Sequence, residues 1–114
     1  MDTANTKKLT PTAAQLVERV RAIMHETSGK DNMVHPSLID KLNQMTPADM
    51  DALQPPAISK GFWTDDLEFC KRMAGFLFDA SPETIAEMPG KLYPVMLAIT
   101  SQNYINFLAQ AMSA

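Results

Sequence analysis

Residues 11–29 read PTAAQLVERVRAIMHETSG. Ala13, Leu16, Val17, Val20, Ile23 and Met24 recur at i, i+3, i+4, i+7, i+10 and i+11, the spacing of one face of an α-helix. Glu18, Arg19, Arg21 and Glu26 mark the solvated side. Thr10 offers a side-chain oxygen to a first-turn amide, and Pro11 lacks the N–H that would have no partner at that position. Thr27, Ser28 and Gly29 supply the stop, because glycine tolerates the left-handed conformation a helix end often needs. The spacing predicts a helix over 11–26.

The same start signal recurs at Thr46-Pro47 and Ser81-Pro82, and in weaker form at His35-Pro36, where histidine is a poor cap. After a loop over 29–35, Leu38, Ile39, Leu42 and Met45 form a short second helix. Thr46-Pro47 restarts the chain for one or two turns carrying Met50 and Leu53, and Pro55-Pro56 stops it. Residues 57–63 (AISKGFW) read as a linker with two aromatics, Phe62 and Trp63. Thr64 caps a helix over 65–80, whose dipole Asp65 and Asp66 complement. Ser81-Pro82 opens a short turn with Ile85 and Met88, closed by Pro89-Gly90. A final helix spans about 94–112. No segment alternates as a strand does. The expected fold is all-α: a small helical bundle with two to three longer helices and short Pro-started helical turns. Residues 1–10 read as a flexible arm and 11–114 as a single domain.

Composition narrows function. The chain has 114 residues, 46% of them hydrophobic and 20% charged, which suits one globular domain. A net charge of −3 argues against direct nucleic-acid binding, which asks for a basic face. Only Lys7 with Lys8, and Arg19 with Arg21, are locally basic. Cys70 is the single cysteine, which fits a reducing compartment. Residues 1–10 lack the apolar core of a signal peptide, and the charge-free stretch 92–114 is broken by Thr100, Ser101, Gln102, Asn103, Asn106 and Gln110. A cytoplasmic protein without membrane contact is expected.

Chemistry is sparse. His25 and His35 have no cysteine or carboxylate at zinc spacing. Cys70 shares a helix face with Leu67, Ala74 and Leu77, the setting of a small core residue. Glycines 29, 61, 75 and 90 form no phosphate loop, and Asp49, Asp51, Asp65 and Asp66 no calcium loop. No catalytic residue, cofactor or metal is expected. A minor enzyme built on Cys70 is the weakest alternative.

The apolar faces are more informative. After Lys91 no charged side chain follows in 23 residues. Leu97, Ser101, Tyr104, Ile105, Leu108 and Met112 share one side of the last helix, read as its core stripe. Met96, Ile99, Asn103 and Phe107 share the other, read as outward. In the 65–80 helix Leu67, Cys70, Ala74, Leu77 and Phe78 make one stripe, and Phe69, Met73 and Phe76 a second. A surplus of apolar faces points to a protein interface. The expected protein-binding set is therefore Phe69, Met73 and Phe76, then Met96, Ile99, Asn103 and Phe107, with Phe62 and Trp63 at the rim. A homodimer or an obligate complex is expected.

Three segments carry a resemblance: residues 45–53 (MTPADMDAL), 76–83 (FLFDASPE) and 96–108 (MLAITSQNYINFL). With the small size and high methionine content, the chain resembles the small helical QslA-like anti-activators of LuxR-type quorum-sensing receptors. The resemblance implies a negative regulator that covers the ligand-binding domain of such a transcription factor, blocks its dimerisation and so prevents promoter binding. None of the family's contact residues carries over onto these segments. The alternative is a small helical homodimeric adaptor or structural protein.

Overall fold

The computed structural model describes residues 10–28, 33–54 and 67–113. The expected linker with Phe62 and Trp63, the cap at Thr64 and the arm before Thr10 lie outside them. The described residues form α1 (Pro11–Glu26), α2 (Pro36–Asn43), α3 (Pro47–Leu53), α4 (Leu67–Phe78), α5 (Pro82–Ala86) and α6 (Tyr93–Ser113). There is no strand among them.

Side-chain caps set most helix starts. Thr10 Oγ1 accepts from the Ala13 N–H at 3.1 Å. Thr46 and Asp49 form a reciprocal capping box, and Ser81 Oγ accepts from the Thr84 N–H at 3.2 Å. His35 caps α2 after all: its Nδ1 accepts from the Ser37 N–H at 3.2 Å, while Nε2 faces Glu26 Oε1 at 2.6 Å. With Nδ1 accepting, the ring proton sits on Nε2 and is given to that carboxylate.

The helix ends are equally specific. Thr27, 2% exposed, bonds its hydroxyl back to the Ile23 carbonyl at 2.7 Å and finishes α1. Gln54 takes a left-handed φ of 54° after α3, and Arg72 Nε donates to the Leu53 carbonyl at 2.6 Å. The guanidinium thus satisfies carbonyls that α3 leaves unpaired. At the end of α4 Asp79 has φ 52°, and the Ala80 N–H reaches back to the Gly75 carbonyl at 2.9 Å, a Schellman closure.

α4 packs on α6, α2 and α3, α6 also packs on α2 and α1, and α1 packs on α5. The core gathers Val20 and Ile23 of α1, Leu38 and Leu42 of α2, and Met73 and Leu77 of α4. Met96 and Ile99 of α6 complete it.

This packing corrects the expected faces. α4 is wrapped by three helices, so both its stripes turn inward: Phe69 and Met73 are as fully buried as Ala74 and Leu77. Leu67, placed on the inner stripe, is 54% exposed. In α6 the order is reversed at five positions. Met96, Ile99 and Asn103, expected outside, are 0% exposed, whereas Ile105 and Met112, expected inside, are 43% and 84% exposed. Leu97 and Leu108 are half-buried, and only Tyr104 of the expected core stripe is buried. The methionines mostly fill the core, with Met73, Met88 and Met96 buried and Met33, Met45 and Met50 packed against it.

Candidate functional site

α6 presents a face without charge. From Tyr93 to Ser113 it carries no Asp, Glu, Lys or Arg. Its buried positions, Met96, Ile99, Thr100, Asn103 and Tyr104, end after the third turn. Beyond them Ile105 and Met112 are exposed and Leu108 is half-buried. Leu97, Ser101, Ile105, Leu108 and Met112 follow one another on a single helical side; Leu97 and Leu108 rest partly buried against the core and Ser101 Oγ lies 3.6 Å from Cys70 Sγ, so this side opens to solvent at Ile105 and Met112.

Phe107 stands at the edge of this face. Its ring stacks on Tyr104 at 6.1 Å, and Tyr104 meets Phe69 edge-on at 5.9 Å. The ladder ties a half-exposed aromatic to a fully buried one. Burial raises the pKa of the Tyr104 phenol. Phe76 of α4 is the other half-buried member of the expected binding set, with the Lys41 ammonium 5.3 Å from its ring centre. Phe69, Met73, Met96, Ile99 and Asn103 form no open surface with these two, because they lie inside the protein.

Asn103 explains the reversal of α6. Its Nδ2 donates to the carbonyls of Ile99 at 2.8 Å and Met33 at 3.1 Å, and its Oδ1 accepts from the His35 N–H at 2.9 Å. A polar residue in the sequence reads as outward; here it satisfies the backbone of the segment entering α2.

Cys70 and His35 both have structural partners. Cys70 Sγ lies 3.8 Å from the Leu97 carbonyl and 3.6 Å from Ser101 Oγ, and burial pushes its thiol pKa up, away from the reactive thiolate. His35 lies between Glu26 and Ser37 Oγ, the latter at 2.8 Å. This row of carboxylate, imidazole and hydroxyl resembles a nucleophile relay. The Leu38 and Ile39 amides beside it already donate to the His35 carbonyl, so they are not free to stabilise an oxyanion. No group of three or more His, Cys, Asp or Glu suited to a metal occurs among the described residues.

No protein-family model matches the chain, and no curated protein or solved structure matches it either. Among the described residues no helix is long and apolar enough to cross a membrane.

Of the expected site, the structure keeps Phe76 and Phe107 at the surface, on different helices. The expected core stripe included Ile105 and Met112, which are exposed, while its Leu97 and Leu108 pack partly buried against the core. Their signal was present as a helical stripe, but two stripes of equal quality share α6 and no charge marks which is wet.

Proposed function

We propose that the chain is a protein-binding negative regulator that sequesters a LuxR-type quorum-sensing transcription factor. The observation that carries the protein-binding part is the outer face of α6, apolar, uncharged and open at Ile105 and Met112. Contact surfaces draw their energy from a few large side chains that become desolvated, and a face without charge has little to desolvate at a cost. The partner class comes from the resemblance of residues 45–53, 76–83 and 96–108 to the anti-activators. In this reading the α6 face covers the receptor's ligand-binding domain and blocks receptor dimerisation. The net charge of −3 suits a regulator that acts on the receptor rather than on DNA.

A mobility-shift titration tests it. Added to a LuxR-type receptor of its own host bound to promoter DNA, the protein releases the DNA, and Ile105→Asp loses that ability. Retention of the DNA at saturating protein contradicts the reading. A second reading, a homodimeric adaptor, is favoured by the same absence of charge, since two copies of α6 meet with no like-charge repulsion. Sedimentation of the protein alone separates the two: the adaptor reading requires a stable dimer whose α6 face is not released to any receptor.

A further inference from the structure

A groove of about 700 Å3 runs along α4, and none of the outward α6 residues named above lines it. Its floor includes Gly75. A Cβ there would meet the Ala80 carbonyl oxygen at 2.9 Å, so the glycine both permits the Schellman closure and leaves the helix backbone open. Leu53 and Ala52 of α3 form one wall, and Ile85, Ala86 and Met88 the other. This part is apolar. The charged lining residues, Glu68, Lys71 and Arg72, come from the first half of α4, so polar groups gather at one end.

The two cations there differ in what they are free to do. Arg72 is committed: Nε and Nη2 donate to the Leu53 and Gln54 carbonyls at 2.6 and 3.0 Å and hold the α3 wall in place. Lys71 is paired with Glu68 at 3.3 Å, in an exposed pair of the kind that contributes little and exchanges readily. The Tyr93 hydroxyl lies beside it, and these neighbours raise the Lys71 pKa, so it stays an ammonium. An apolar trough of small-ligand volume thus ends in one exchangeable ammonium and one phenolic hydroxyl.

We propose that this groove binds a free amphipathic carboxylate, its acyl chain lying over Gly75 between Ile85 and Leu53 and its carboxylate on Lys71 and Tyr93. A charge-assisted bond to the ammonium favours the acid over a neutral alcohol of the same chain. The site is independent of the protein contact proposed for α6.

Backbone amide shifts of the labelled full chain, titrated with decanoate or decanol below their aggregation limits, test the proposal. The account expects saturable shifts confined to residues 52–54, 68–75 and 80–93, with decanoate bound about tenfold more tightly than decanol. Lys71→Met brings decanoate down to the level of decanol. Glu68→Gln frees the ammonium and tightens decanoate. Ala86→Phe, at an exposed position on the wall, fills the groove and removes both ligands. Equal affinity for the two ligands, indifference to Lys71→Met, shifts centred elsewhere, or no saturable binding overturns the site.

Discussion

Asn103 has no exposed surface and spends its whole amide on backbone groups: the Met33 and Ile99 carbonyls and the His35 N–H. Met33 has φ 53°, a left-handed conformation that a side chain makes costly, and the Asn103 bond helps hold it. Asn103→Leu keeps the volume and strands two of these partners, each at roughly 1–3 kcal/mol. Urea unfolding should show a loss of at least about 2 kcal/mol; stability equal to the parent protein would mean the loop has another way to satisfy itself. Asp79 is the opposite case. Its carboxylate bonds Lys41 Nζ at 2.6 Å and faces Arg19 at 3.9 Å, but the side chain is 66% exposed. Such pairs contribute about 0–1 kcal/mol, while left-handed φ costs a non-glycine residue roughly 1–2 kcal/mol. Asp79→Gly should therefore match or exceed the parent in thermal stability, and Asp79→Ala should fall below both. A marked loss in the glycine variant would assign the ion pairs more than the geometry allows.

At the scale of the element, helix starts were readable because capping is local chemistry. Thr10, Thr46 and Ser81 act as their position before proline predicts. The His35 cap was harder to read, since histidine serves there only because Glu26, nine residues earlier, faces the other ring nitrogen. The burial of both α4 stripes and the direction of α6 were not local at all. In α6 Met96, Ile99, Thr100 and Asn103 repeat as well as Leu97, Ser101, Ile105 and Leu108, and only the contacts with α2 and α4 decide between them. The α3 cap also carries a pH dependence. Hydrogen bonds from the Thr46 N–H and hydroxyl hold the Asp49 carboxyl below its ordinary value of 3.8. A depressed folded value means the contribution is complete above 3.8 and is lost as the pH falls below it through the folded value. Asp49→Asn should flatten the stability profile in that acid window and leave its neutral part parallel to the parent. Thr46→Ala should cost about 1 kcal/mol at neutral pH. An unchanged acid profile in Asp49→Asn would show that the box does not contribute.

For the whole molecule, α4 and α6 supply the centre and the short Pro-started helices cover it. That arrangement buries Phe69, Met73, Met96 and Ile99, which is why the expected interface they formed became the core. Among the described residues the large apolar side chains left exposed are Met24, Leu67, Ile105 and Met112, the last two on one side of α6. The two sides of that helix therefore have separable duties. Ile99→Asp buries a charge and should prevent folding, whereas Ile105→Asp should leave the melting temperature close to that of the isolated parent. A shared interface would blur the two readouts, because an associated protein melts higher at higher concentration. The direct test is sedimentation velocity of the parent and of Ile105→Asp/Met112→Asp, each mixed with the ligand-binding domain of a LuxR-type receptor of the host. The account predicts a faster-sedimenting complex for the parent and separate components for the folded double variant. A complex of unchanged size and affinity in the variant, or none with the parent, would contradict the assignment of the α6 face.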